Sequence, residues 1–526
     1  MPATAAVSLR YAPGNPTYTD ILVGPNGNDE TGDGSRARPL RTIRAAWRRV
    51  PHNQAGERTG AYRIRLLPGE YAGAYLDRPD DQPPVSAGTA ATPLAIESDD
   101  PDNRARIVCH AAGDCQNLTL FRIQYVYLQN FDILMDRTFG GTPVSESGDA
   151  LQCDGCSHLL VRNMQIRGIR REAQTETVKL NQAQHVYIED SDISGAGDNA
   201  LDAVAVQYGH IVGNRIHNAN DWCAYVKGGS AELIVEGNRF DNCGTGGFVA
   251  GQGTGFQFMV SPWLHYEAYD IRIVNNLVSN VEGAGMGVNG GYNILIAYNT
   301  MMRVGQRSHM LEFLPGRRGC DGGDAAACQP NLNAGGWGTI GGEEEYIPNR
   351  NIFVYNNIIY NPPGSPVAPQ IFSIRGPYTP PAGYTPAGPN AYDTNLQIRG
   401  NIIWSGDVGA SLGIEDAGQG CQATNPTCNA AQLTADNRIN TLAPQLVNVA
   451  TGDLRPLPGG SVFSVPALTI PPFPGGDSPA PPLAPPGDLA NLIVRDYDGI
   501  PRAPDGPPGA YTTPLPIVSY VPQLRR

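Results

Sequence analysis

The sequence predicts an all-β chain wound as a single-stranded, right-handed parallel β-helix. Three observations carry this. A short apolar unit with a marker Asn or Asp recurs every roughly 22–26 residues between about 90 and 450. Its copies read LLVRNMQI, VYIEDSDI, HIVGNRI, LIVEGNRF, IRIVNNLV, ILIAYNTM, IFVYNNII and LQIRGNII. Apolar residues inside each copy alternate with polar ones, which is strand rather than helix periodicity. Glycine (63) and proline (46) are abundant and charge is only 17%, which suits many short strands joined by turns. A unit this short cannot bury its apolar face alone; stacking on the next copy can. The Asn at a fixed turn position predicts a left-handed bend with side chains stacked from coil to coil.

Along the chain, residues 1–75 read as an irregular lead-in, a strand (DILVG), a Gly/Asn/Asp turn and one short helix. The helix is PLRTIRAAWRRV, with Thr42 as its N-cap. Such a helix would cap the open end of a solenoid and shield its core and strand edges. Residues 76–465 form the β-helix, interrupted by insertions at 136–148, 254–268, 315–350 and 373–392. Insertions in a solenoid gather on one face and can wall a groove. Residues 466–526 are Pro-rich and then carry NLIVRDYDGIPR, which reads as an extended strap over the coils.

A net charge of −13 argues against nucleic acid as a partner. No stretch is long and apolar enough to span a membrane as a helix. The ten cysteines fall mostly in close pairs, Cys109/Cys115, Cys153/Cys156, Cys320/Cys328 and Cys421/Cys428, with Cys223 and Cys243 one repeat apart. That pattern predicts disulfides and an oxidising compartment. The first residues, MPATAAVSLRYAP, lack the charged-then-apolar pattern of a secretion signal. The expectation is a secreted, periplasmic or cell-surface monomer whose leader is not in this chain.

The segments GPNGND, GDGS and PLRTI, then RLLPGEY, the Asn-marked repeat and the closing RDYDGIPR and GAY together resemble secreted bacterial β-helix proteins of the pectate-lyase-like superfamily. The resemblance covers nearly the whole chain and implies the fold. It also implies a choice among lyases of uronic-acid polysaccharides, inverting hydrolases, epimerases and non-catalytic surface proteins.

Chemistry concentrates between Glu176 and Ser230. Of 37 Lys plus Arg residues only Lys179 and Lys227 are lysine, and both lie in equivalent strands, TVKLN and AYVKG, with LDAV between them. Inward Val178, Leu180, Leu201, Ala203, Ala224 and Val226 leave Lys179, Asp202, Tyr225 and Lys227 outward on one face. The third strand can shift by one position, so either Tyr225 or Lys227 continues the column. Lysine, unlike arginine, can be tuned to act as a neutral base. The reaction this suits is β-elimination on an acidic polysaccharide. Lys227 is the expected base, with two glycines beside it to admit a sugar chain. Lys179 is the expected cation for the substrate carboxylate, and Tyr225 and Arg215 are further catalytic candidates. Asp198, Asp202 and Glu176 could hold Ca²⁺ through hard oxygen ligands. This resembles calcium-dependent β-helix lyases, but without their run of aspartates and without an arginine on the following coil.

The loop GQGTGFQFMVSPWLHYEAYD offers Gln252, Gln257, Trp263, His265 and Tyr266 as sugar-binding groups. His265 and Tyr266 are also a fallback acid/base pair. His309 and Arg317 stand at the mouth of a disulfide-sized loop, where Arg317 could read a carboxylate. His158, His185, His210 and His217 read as coil-edge residues. Two other readings remain open: a glycoside hydrolase using two of Asp198, Asp202 and Asp221, or a non-catalytic glycan-binding surface protein. Packed aromatics and a plain salt-bridge ladder of Lys179, Asp202 and Lys227 are the bland readings of the same residues.

Overall fold

The structure is a computed structural model that describes residues 10–77, 87–109, 118–136, 138–139, 142–143, 148–169, 175–261, 263–320, 325–337, 344–366, 368–376, 394–407, 409–414, 421, 428–475, 490–503 and 505–513. Three long parallel sheets run its length. Sheet I has 12 strands, from Thr19–Val23 to Gln397–Arg399. Sheet II has 10, from Ala74–Leu76 to Gln370–Ile374, and sheet III has 12, from Glu70–Tyr71 to Arg438–Ile439. Each coil contributes one strand to each sheet, in the order II, I, III through the repeat region. Thr19–Val23, within the expected lead-in, is already an edge strand of sheet I, paired with Tyr62–Leu66. The inward side chains of all three sheets merge into one apolar core that includes Val178, Leu201, Val226, Ile273 and Phe313.

The repeat's marker residues form a ladder through this core. The side-chain oxygens of Asn214, Asn238, Asn276, Asn299, Asn357, Asn401 and Asn437 each accept the backbone N–H of the equivalent residue one coil earlier, at 2.9–3.1 Å. Each side-chain amide also donates to a backbone carbonyl, such as Asn276 to Val235. The ladder is as the sequence implied; the bend is displaced by one. The left-handed residue is the one before, as at Gly213, Gly237, Asn275, Asn356 and Gly400. The turn thus places the following Asn inside, where its amide replaces the strand bonds that the corner interrupts.

The helix Ile43–Arg48 starts at Thr42, whose hydroxyl accepts the Ala45 N–H. It buries Ile43, Ala46 and Trp47 against the first coils, and the Trp47 indole donates to Asp77 at 2.6 Å. Two further helices, Ala325–Gly335 and Ala430–Asp436, were not legible as such. The first contains Pro330 and has little helical periodicity; it is held by its surroundings. Disulfides close Cys153–Cys156, Cys223–Cys243, Cys320–Cys328 and Cys421–Cys428. Cys109 is also disulfide-bonded. Cys115 lies outside the described residues, as do most of the insertions at 136–148 and 373–392 and the Pro-rich stretch 476–489.

The C-terminal segment lies against the coils. Phe473 packs on Phe353 and Leu295, and Leu468 exchanges two hydrogen bonds with the Asn356 side chain. The Arg502 guanidinium sits 3.9 Å over the Tyr298 ring and donates to Asn275. No helix among the described residues is long and apolar enough to cross a membrane.

Removing one ladder amide orphans buried groups on both sides. Asn276→Ala should lower stability by about 1–3 kcal/mol. Exposed Glu30→Ala should cost under about 0.5 kcal/mol. Chemical denaturation of the two variants compares them directly.

Candidate active-site cleft

The outward face of sheet II carries the predicted column. Strand pairing aligns Lys179 with Asp202 and Asp202 with Tyr225. Lys227 aligns with Val204, and Val204 with Asn181, so it stands two residues along the same face. Tyr225 therefore continues the column and Lys227 flanks it. The two lysines share one cleft of about 370 Å³, lined also by Glu176, Asp198, Asp202, Tyr225, Gly253–Gly255 and Phe258.

The two amines differ in their partners. Lys179 Nζ donates to Asp202 Oδ2 at 2.9 Å and lies 3.7 Å from Glu176 Oε1. Burial works against its ammonium form, but Asp202 and then Glu176 outweigh that and raise its pKa. It stays charged and is spent on protein carboxylates, so it is a structural cation rather than a base. Lys227 is outside this ion pair. Its Nζ donates to Gln252 Oε1 at 3.0 Å and lies 4.6 Å from the centre of the Tyr225 ring. The salt-bridge ladder therefore has one rung, and Lys227 faces the cleft hydrogen-bonded to a neutral amide, with the Asp198 carboxyl acting on it electrostatically from the same cleft. Tyr225 is almost fully buried; burial first, then the Asp202 charge, pushes its hydroxyl well above the usual range and disqualifies it as a base.

The carboxylates are raised. Burial, then Asp202, pushes Glu176 up, against the pull of Lys179 and of the Asn199 N–H that it accepts at 2.7 Å. Burial and a hydrogen bond shared with Asp221 push Asp198 up to about 6. The expected calcium set does not fit this arrangement. Asp202 and Glu176 both turn an oxygen to the Lys179 ammonium, and Asp198 is engaged with Asp221. Among the described residues no three metal-ligating side chains converge.

Gly228 and Gly229 follow Lys227 with φ of 70° and 81°, so the turn itself demands glycine. A Cβ on Gly228 would also come within 3.1 Å of Thr254 and Val204 side chains. Glu267 ties this turn to the cleft wall. It accepts the Gly228 N–H and the Thr254 hydroxyl, both at 2.8 Å, and is ion-paired with fully buried Arg318.

Several expected binding groups lie elsewhere. Tyr266 is fully buried, and His265 is buried against Trp337 with its ring bonded to the Gly335 carbonyl. Burial pushes the His265 pKa down. This pair cannot serve as cleft acid and base, because its loop folds into a second apolar core with Phe256, Leu264, Tyr269, Leu332, Trp337 and the Cys320–Cys328 disulfide. Trp263 packs on that core too. Arg215 is on sheet III, exposed and paired with Asp192, away from the cleft. His309 bonds Glu312 at 3.0 Å on sheet II, three coils beyond Tyr225 by register. Gln252 reaches the cleft through Lys227, and Arg317 pairs with Gly253 of its wall. Gln257 precedes Phe258 but is not among the cleft's lining residues. Phe258 was missed: inside an aromatic-rich loop, sequence could not tell the one exposed ring from the packed ones. His158 and His185 stack between Tyr125 and Tyr208 at a coil corner, as coil-edge residues.

Residues 137–309 match the family model described as right handed beta helix region. The chain is a right-handed parallel β-helix. It is similar in fold to a rhamnogalacturonan lyase (12% identity, 73% of this chain and 87% of that one, TM-score 0.42). It is similar also to pectate lyase Pel9A (14%, 58% and 78%, TM-score 0.35) and to a glycoside hydrolase (8%, 57% and 94%, TM-score 0.35). No curated protein matches it in sequence.

Two outcomes test this geometry. Lys179→Met leaves Asp202 and Glu176 without their cation and should destabilise by about 1–3 kcal/mol, the buried-pair cost reduced for a partly exposed lysine. Adding Asp202→Asn should recover part of that loss in a double-mutant cycle followed by denaturant unfolding. Asp198 binds its proton more tightly folded than unfolded, so its contribution is full below the unfolded value of 3.8 and is lost as pH rises through about 6. Asp198→Asn should flatten the stability–pH profile across that window.

Proposed function

We propose that this chain cleaves a uronic-acid polysaccharide by β-elimination in the sheet II cleft, outside the cytoplasm. The observation that carries the reading is the division of labour between its two lysines. Lys179 is neutralised by protein carboxylates, whereas Lys227 faces the cleft on neutral Gln252 and Tyr225. In its neutral form Lys227 takes the proton on the carbon beside the uronate carboxylate. The electron pair forms a carbon–carbon double bond as the bond to the glycosidic oxygen breaks, and that oxygen takes up a proton. Asp198, with its raised pKa, is a proton source within the same cleft. Arg317, exposed beside Gly253, suits the substrate carboxylate by its bidentate geometry. The disulfides support a location in an oxidising compartment. The fold likenesses to lyases and hydrolases are too distant to choose between reactions.

A second reading has its own support. In a glycoside hydrolase Asp198, its pKa raised to about 6, would be the acid, whereas Asp221, hydrogen-bonded to it, stands too close to be the second carboxylate of an inverting pair.

Incubation with polygalacturonate, alginate and chondroitin sulfate should produce absorbance at about 235 nm, the mark of an unsaturated uronate product. Lys227→Ala should lower that rate by about a hundredfold or more, and a chelator should leave it unchanged. Reducing ends without the absorbance would establish hydrolysis instead, and an undiminished Lys227→Ala would remove the mechanism.

A further inference from the structure

The aromatic loop gives up nearly all its rings to its own core, and Phe258 is the exception. It is 46% exposed and lines the cleft that holds Lys179 and Lys227. The backbone around it is fixed from two sides. The Gln182 side chain donates to the Phe258 carbonyl at 3.1 Å, from the coil that carries Lys179. The Asn331 side chain donates to the Phe256 carbonyl at 2.8 Å and to that of Met259 at 3.3 Å, from the helix Ala325–Gly335. Phe256 and Met259, on either side, are buried in the second core. The short 3₁₀ turn Phe256–Phe258 therefore points its neighbours inward and leaves one ring outward. An apolar ring held in solvent beside two amines and three carboxylates gains nothing for folding.

We infer that Phe258 is a sugar-stacking platform, and that the cleft takes a hexuronate with its apolar C–H face on that ring and the carbon beside its carboxylate toward Lys227. Pyranose rings have such a face, and flat aromatic surfaces beside polar groups recognise it. This inference rests on the polysaccharide reading and sharpens it. The face of the bound residue laid on the ring must present C–H groups and no bulky substituent. A sugar sulfated or acylated on that face is excluded.

Affinity electrophoresis of the full chain through gels containing polygalacturonate, alginate or chondroitin sulfate tests binding without cleavage. At least one of these should retard the wild type. Phe258→Ala should weaken that retardation by roughly three- to tenfold, the worth of one aromatic contact, with an unchanged melting curve. Phe258→Trp should keep it. Equal retardation of wild type and Phe258→Ala, or no retardation of the wild type by any of the three, overturns the inference. Retardation that depends on Phe258 without any cleavage overturns the proposed reaction and leaves the platform standing. Cleavage with a KM unaffected by Phe258→Ala does the reverse.

Discussion

In-register stacking of coils about 4.8 Å apart is the constraint from which the rest of this molecule follows. A single coil has an apolar interior it cannot cover and corner amides it cannot satisfy. Both needs are met by the next coil, through merged apolar side chains and through the asparagine ladder. The same register acts on the outside. Residues at equivalent positions are forced into contact whether or not they attract. Lys179 beside Asp202 is such a contact, and so is Asp202 beside Tyr225. A charge on this wall always acts on the coil above and the coil below.

The cleft needs a second wall that the solenoid does not supply. Two insertions make it. Their strands Gly253–Gly255, Gly316–Gly319 and Glu344–Ile347 form a small sheet, and residues of both bury a common apolar core and hold the Arg318–Glu267 ion pair. A buried pair of that kind adds little net stability but resists being broken. Glu267 also accepts hydrogen bonds from Gly228 and Thr254, so it ties the wall to the Lys227 turn.

Legibility in the sequence divided along the same line. The coils were readable because the repeat is local: strand alternation and one marker residue fix inside from outside. That is why Lys179, Asp202, Tyr225 and Lys227 could be placed on one face from pattern alone. The register between Tyr225 and Lys227 was not readable, since a one-residue shift leaves both strands plausibly patterned. The insertions were not readable either, because their fate depends on contacts between segments about 70 residues apart, such as His265 with Gly335. His265 and Tyr266 looked like site residues for the same reason that they pack well: large, partly polar rings suit both. The helix Ala325–Gly335 has no strong pattern of its own and exists through its docking.

An acidic polymer entering a wall of carboxylates runs against simple electrostatics. The pKa shifts reduce the conflict. Lys179 offsets Asp202, and burial drives Glu176 and Asp198 toward their neutral forms. The cleft is then far less negative than its composition of three acids and two amines suggests. Desolvation does this without adding basic residues, which would bind any anion and sacrifice selectivity. It also leaves Lys227 outside the ion pair that keeps Lys179 charged. A uronate that brings the carbon beside its carboxylate up to Lys227 does so only by displacing water from a ring, Phe258, that water solvates poorly. Proton transfer and selection by shape are thus assigned to different walls, one built by the repeat and one by what interrupts it.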